Sequence, residues 1–303
     1  MDGNYGTGTE AECPAQAGQD EQRVLKRREL LDRLPPGSLA VFDQPYIPGA
    51  GSTGPVDYRQ TLDLYIPPGT GLFPLVIWIH GGGWNACDKD TDAAPGFLSS
   101  GFALASINYR LIGDGHPFPA QIEDCFSALA WLRQNGEEHH IDSRRIGVFG
   151  HSAGAHLAGM ILTTGGTDLF SKTQNGGGQV QGAVLLSGPL DLVRERGNWP
   201  AGTFVWNPED AFCRYFFPGG VYDEDFARWA SPASYLHPGV PPVLVVHGGA
   251  DTLVPFGQAL AFTQALKKTG TEAIFYLEPE SGHDTLSPEN YSGVIRFFNG
   301  IMR

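Results

Sequence analysis

The chain has 303 residues, 41% of them hydrophobic, which suits one elaborated α/β domain with a sizeable core. Its 33 acidic against 20 basic side chains give a net charge of -13, which argues against nucleic acid or another phosphate-backbone partner. No apolar stretch is long enough to span a bilayer.

Met1 to Asp20 is almost free of apolar residues and is expected to be a flexible tail, with residues 21–303 forming a single domain. The N-terminus shows no basic segment followed by an apolar run, so no signal peptide is visible. A cytoplasmic location is therefore favoured, with secretion after signal removal as the alternative. Gln22 to Leu34 reads as an amphipathic helix stopped by Pro35-Pro36-Gly37, packing on the domain or lining the mouth of a site. Val41 to Gly54 is rich in Pro and Gly and is expected to be extended. Leu62 to Ile66 alternates apolar and polar, the pattern of a half-buried strand. Pro74 to His80 and Phe102 to Tyr109 are continuous apolar runs, as in strands covered on both faces.

Gln121 to Asn135 carries Ile122, Cys125, Phe126, Leu129 and Leu132 at helical spacing. A strand over Arg145 to Gly150 then runs into a small-residue helix over Ser152 to Thr163. Strands follow at Gln179 to Ser187, Pro242 to His247 and Ala273 to Leu277, with helices at Phe256 to Lys268 and Pro288 to Met302. Alternating strands and helices imply a mostly parallel sheet with helices on both faces. Residues 191–238 form an insertion too long for an ordinary connection. It is rich in aromatic residues, among them Trp199, Phe204, Trp206, Phe212 and Phe216, and is expected to act as a partial cap. The cysteines, Cys13, Cys87, Cys125 and Cys213, lack C-x-x-C spacing and are expected to be free thiols; pairing stays open.

The chemistry concentrates in a few places. Gly150-His151-Ser152-Ala153-Gly154 fits G-x-S-x-G, in which a sharp strand-to-helix turn exposes a serine nucleophile. Glycines on either side let strand and helix approach closely. His80-Gly81-Gly82-Gly83-Trp84 follows a buried strand. The N–H groups of Gly81, Gly82 and Ala153 are candidate oxyanion donors. His80 is expected to be structural.

A serine nucleophile needs an imidazole base and an orienting carboxylate, in the order Ser, Asp/Glu, His for this motif. His283 lies between the last strand and last helix and is the candidate base. His156, on the helix after the serine, is poorly placed; His237 sits in a loop where exposure is expected; His151 is adjacent to the serine but is not the base; and His247 reads as a satisfied buried histidine. Asp251 follows the strand ending at His247 and is the candidate carboxylate. Its competing reading is an N-cap of the next helix, and Glu280 and Asp284 are rival partners. Trp84, Tyr109 and Asp191 are candidates to line a substrate pocket. No metal or organic cofactor is expected.

With these residues in view, the chain resembles α/β-hydrolase esterases of the hormone-sensitive-lipase-like and feruloyl/acetyl-esterase-like groups. The carriers are the HGGGW and GHSAG stretches, Asp251 within HGGADTLVP, and His283. Trp84 with Asp88-Lys89, and the stretch Phe118 to Asp124 with Trp131-Leu132, resemble the bacterial feruloyl-esterase-like branch. Cys87 stands where Gly often precedes the Asp-Lys pair, and Ala155 replaces a frequent second Gly. The resemblance implies an α/β-hydrolase fold and hydrolysis of short-chain acyl or aryl esters through an acyl-enzyme. An amidase or formamidase, or a peptidase, with the same triad is the alternative, because kynurenine formamidases share HGG-x-W. A non-catalytic binding protein would lack a triad member. The expected partner is a small-molecule ester.

Overall fold

The computed structural model describes residues 19–47, 56–91, 93–170, 178–201, 203–205, 207–283 and 287–302. Residues 1–18 of the expected tail, Cys13, Trp206 and Asp284 lie outside them. The elements run α1 (Gln19–Arg33), β1 (Leu39–Pro45), β2 (Thr61–Ile66), β3 (Phe73–Ile79), α2 (Ala94–Ser99), β4 (Ala103–Ile107), α3 (Ala120–Asn135) and β5 (Ile141–His151). They continue α4 (Ala153–Thr164), β6 (Ala183–Leu186), α5 (Ala211–Phe216), α6 (Glu224–Trp229), β7 (Val243–Gly248), α7 (Phe256–Lys268), β8 (Ala273–Glu278) and α8 (Pro288–Ile301).

One sheet of eight strands holds the fold, in the order β1-β2-β4-β3-β5-β6-β7-β8. β1 and β2 are antiparallel to each other, and β2 is antiparallel to β4. From β4 to β8 the neighbours are parallel. Side chains alternate between two cores. Leu75, Ile77 and Ile79 of β3 face one, with α3 and α4 residues such as Leu129 and Leu157. Val76 faces the other, against Phe97, Phe149 and Phe298. Both faces are apolar, which is why these strands read as unbroken hydrophobic runs. Each fully buried Leu or Ile contributes roughly 1.5–3 kcal/mol relative to exposure.

One expectation needs correction. β2 is not half-buried: all six residues are buried. Its polar residue Asp63 is covered by α1 and paired with charge. Lys89 Nζ lies 3.1 Å from Asp63 and 2.5 Å from Asp43, and Arg27 bridges both carboxylates. Burial pushes the Asp63 carboxyl upward, and the Lys89 charge opposes that. Val41 to Gly54, expected to be extended, is so where described: it contributes to β1, an edge strand, and residues 48–54 lie outside the described residues. α1 packs through Arg23, Arg27, Leu30 and Leu34, at alternating spacings of four and three, while Val24, Leu25 and Leu31 stay exposed. The helix therefore clamps the sheet edge and does not line the cavity described below.

Cys125 and Cys213 are buried free thiols, and Cys87 is exposed. Among the described residues, no helix is long and apolar enough to cross a membrane.

Candidate active site

β3 connects onward to β4 on one side, while its other neighbour β5 connects onward to β6 on the opposite side, so the chain reverses direction across the sheet between β3 and β5. Such a switch point opens a crevice at the C-terminal ends of the strands. The loops after β3, β5, β7 and β8 meet there.

β5 turns into α4 at Ser152, whose φ of 53° and ψ of -119° are costly for a residue with a side chain. The turn needs glycine on both sides. A Cβ on Gly150 would lie 2.2 Å from the Gly154 carbonyl oxygen, and one on Gly154 would lie 2.0 Å from that of Ile79. Main-chain bonds hold the bend. The Ser152 N–H donates to Leu186 O at 2.8 Å, and Ser152 O accepts from the His156 N–H at 3.0 Å. The side chain caps nothing in α4. Its Oγ lies 2.8 Å from His283 Nε2, on a residue 131 positions away.

His283 Nδ1 lies 2.8 Å from Asp251 Oδ2. Asp251 does not cap α7, which starts only at Phe256. Its Oδ1 instead accepts the N–H groups of Leu253 and Val254, both at 2.9 Å. Burial alone would raise this carboxyl, but hydrogen bonds from His247 and His283 hold it below the usual carboxylate range. The part of His247 was missed by sequence reasoning. Its Nε2 lies 3.1 Å from Asp251 Oδ2 and 2.9 Å from Val254 O, so the ring braces the carboxylate. The available signal was its position four residues before Asp251, at the end of a buried strand. His151, inside the serine motif, reaches the backbone: its Nε2 lies 3.1 Å from His283 O and ties the His283 loop to the bend.

Ala153 is the first residue of α4, so its N–H has no intrahelical acceptor. Gly81 abuts the bend, since a Cβ there would lie 3.2 Å from Ser152 Cβ. Gly82 has a φ of +87°, and its carbonyl accepts the N–H groups of Asn85 and Ala86 at 3.0 and 2.9 Å. His80 is buried, with Nδ1 3.0 Å from Gly81 O. Burial pushes its pKa down to about 4, so the ring is neutral.

A cavity of about 500 Å³ opens over Ser152 and His283 and includes Gly81 and Gly82 in its lining. Trp84, Phe204, Phe212 and Leu253 supply apolar wall, and Asn85 and Asp210 supply polar groups. From the insertion, Phe204, Asp210, Ala211 and Phe212 reach the cavity. Phe216 instead packs on Trp84 and Phe118, both with centroids 5.1 Å away. Trp84 is anchored by its Nε1–H, which donates to His156 Nδ1 at 3.2 Å, while His156 Nε2 lies 2.6 Å from Ala230 O. His156 thus joins the wall to the insertion. Burial lowers its pKa to about 4, which leaves Nδ1 able to accept.

Two of the expected pocket residues are elsewhere. Tyr109 is fully buried beneath the glycine loop, where its hydroxyl donates toward His80 O at 2.9 Å and Gly81 O at 3.0 Å. Asp191 sits at the root of the insertion. It pairs with Arg196 and accepts the Val193 N–H at 3.1 Å. Both side chains are consumed by the scaffold, because the parallel register and the insertion's own turn leave them no route to the cavity.

The sheet order, the helix-flanked parallel strands and the serine bend define an α/β-hydrolase fold. The chain belongs to the BD-FAE family, whose model matches residues 62–266. It is 31% identical over 276 residues to Esterase LipQ of Mycobacterium tuberculosis, which covers 87% of this chain and 63% of LipQ. The chain thus spans less than two thirds of that relative's length. It is 33% identical over 176 residues to the kynurenine formamidase of Salmo salar, covering 57% of this chain and 54% of that protein. Among solved structures, a truncated carbohydrate esterase from gut microbiota shares the fold with a TM-score of 0.75 at 24% identity, over 87% of this chain and 96% of that one.

Proposed function

We propose that this protein is a carboxylic ester hydrolase in which Ser152, His283 and Asp251 work as a triad. The observation that carries this reading is the pair of 2.8 Å contacts, Ser152 Oγ to His283 Nε2 and His283 Nδ1 to Asp251 Oδ2. His283 takes the Ser152 proton as Oγ attacks the ester carbonyl, and Asp251 steadies the imidazolium that forms. The N–H groups of Gly81, Gly82 and Ala153 receive the oxyanion, each such donor contributing about 3–4 kcal/mol to the transition state. The alcohol departs with a proton from His283 Nε2. Water then releases the acyl group from Ser152 by the same steps in reverse roles.

Short-chain acyl or aryl esters suit the site best. A cavity of about 500 Å³ walled by Trp84, Phe204 and Phe212 accommodates a compact apolar acyl group with its leaving alcohol. A fluorophosphonate probe is expected to label Ser152 in the native protein and to leave the Ser152→Ala variant unlabelled. Absence of an adduct on the native protein rejects the reading.

The likeness to a kynurenine formamidase favours one second reading, an amide or formamide substrate. The chemistry differs in the leaving group, since an amine must be protonated by His283 before it departs. Rates on p-nitrophenyl esters, feruloyl esters, acetylated sugars, anilides and N-formyl anilines separate the two. Faster turnover of the amides selects the formamidase reading.

A further inference from the structure

We propose that Tyr109 is the positioning residue of the oxyanion loop: its buried hydroxyl sets the direction in which the Gly81 and Gly82 N–H groups point. This rests on the acyl-transfer reading above and assigns to Tyr109 a part that substrate contact cannot explain, because the side chain is fully buried.

The placement follows from the sheet register. Ile79 of β3 pairs with Ile107 of β4 in parallel, so the residues two places further on, Gly81 and Tyr109, leave the sheet side by side. The Tyr109 hydroxyl then meets two consecutive carbonyls, His80 O at 2.9 Å and Gly81 O at 3.0 Å. The His80 ring lies flat on the Tyr109 ring, centroids 4.2 Å apart and planes 11° apart, and its Nδ1 bonds Gly81 O at 3.0 Å. With His80 neutral, that nitrogen carries the proton and donates.

The peptide plane transmits this downward hold to the cavity side. In a trans peptide the N–H points opposite to the C=O of the same unit. The His80 carbonyl shares its plane with the Gly81 N–H, and the Gly81 carbonyl shares its plane with the Gly82 N–H. Pulling both carbonyls toward Tyr109 therefore turns both N–H groups away from it. Gly81 and Gly82 line the cavity on that other side, beside Ser152. Three consecutive glycines have no side chains of their own to restrict their dihedral angles, so the loop depends on such external bonds for its direction. A carbonyl that accepts a hydrogen bond also polarises its peptide and strengthens the opposite N–H as a donor. Burial raises the Tyr109 phenol well above its usual pKa, which keeps the hydroxyl protonated through the working range.

The test is Tyr109→Phe, which removes one hydroxyl and leaves the ring stacked under His80. The expected result is a kcat lowered by about 10- to 100-fold with KM within about twofold, the pattern of an interaction made in the transition state. A trifluoromethyl ketone, which forms a tetrahedral adduct with Ser152 and so carries the oxyanion, is expected to lose affinity by the same factor as kcat/KM. A planar amide inhibitor that forms no adduct is expected to keep its affinity. A merely structural role would lower the melting temperature or weaken both inhibitors alike. If Tyr109→Phe does not fold, 4-fluorophenylalanine at position 109 fills the same space without donating and is expected to show the same kcat loss. Placing 4-aminophenylalanine there, which donates from the same point, is expected to restore most of the rate. An active native protein matched by its Tyr109→Phe or 4-fluorophenylalanine form overturns this inference alone. A native protein with neither Ser152 adduct nor turnover overturns the hydrolase reading and this inference together.

Discussion

Replacing Asp251 with Asn exchanges one carboxylate oxygen for an NH2 group and changes almost no volume. The surroundings decide which end is which. The Leu253 and Val254 N–H groups, both 2.9 Å from Oδ1, require an acceptor there, so the new amide keeps its oxygen on that side. The NH2 then occupies the place of Oδ2 and faces His283 Nδ1 at 2.8 Å and His247 Nε2 at 3.1 Å. An amide nitrogen only donates, so His283 must turn its lone pair to Nδ1 and carry its proton on Nε2. That proton now points at Ser152 Oγ, and the ring has no lone pair there to accept the serine proton. The same exchange in the trypsin-type triad lowers kcat by about four orders of magnitude, or about 5.5 kcal/mol of transition-state stabilisation. A loss of that size is expected here, read from p-nitrophenyl acetate turnover, with KM little changed. Fluorophosphonate labelling of Ser152 should slow in parallel. Asp284→Asn, at the residue adjacent to His283 in sequence, is expected to retain most of the activity. If Asp251→Asn keeps more than about a tenth of the native kcat, or Asp284→Asn falls further, the assignment of the carboxylate is wrong.

Two further outcomes test the scaffold. Lys89→Met leaves the fully buried Asp63 and its neighbour Asp43 with Arg27 as the remaining cation described beside them. Breaking such a buried cluster costs about 3–5 kcal/mol, so the urea midpoint is expected to fall sharply; a change under about 1 kcal/mol would mean the cluster contributes little. His80 and His156 are both held neutral by burial, with pKa values pushed down to about 4, against about 6.5 in an unfolded chain. Between those values the unfolded chain binds protons that the folded one does not, so stability present above pH 6.5 is lost as the pH falls toward 4. Each ring contributes up to about 3 kcal/mol across that window. Urea denaturation at pH 7, 6, 5 and 4 measures it, and His156→Gln is expected to flatten part of the slope. A profile that is level or rises on acidification would refute the account.

Elements with both faces buried were the most legible. β3, β4 and β7 appear as continuous apolar runs, and α7 spans the expected Phe256–Lys268 because its periodicity and Pro255 mark its start. The six-residue α2 is too short to show a period, and β1 lies at the sheet edge with no fully buried residue. Asp63 made β2 look half-buried because alternation reports polarity, and polarity matches exposure only when no counter-charge arrives from elsewhere. Lys89 and Arg27, from two other segments, supply that charge.

The strand-to-helix bend at Ser152 and the glycine loop after β3 were legible by themselves, since they depend on residues that are neighbours in sequence and on steric limits local to the backbone. The direction of a side chain was not. Tyr109 and Asp191 carry groups suited to a pocket, yet the β3–β4 register turns one under the loop and an internal ion pair holds the other at the root of the insertion. His247 came to brace Asp251 only because β7 ends where the next turn folds back over it. The chemistry of each residue is written in the chain, but what it faces is settled by contacts such as that between Ser152 and His283, 131 residues apart, which only the closed sheet brings into hydrogen-bond range.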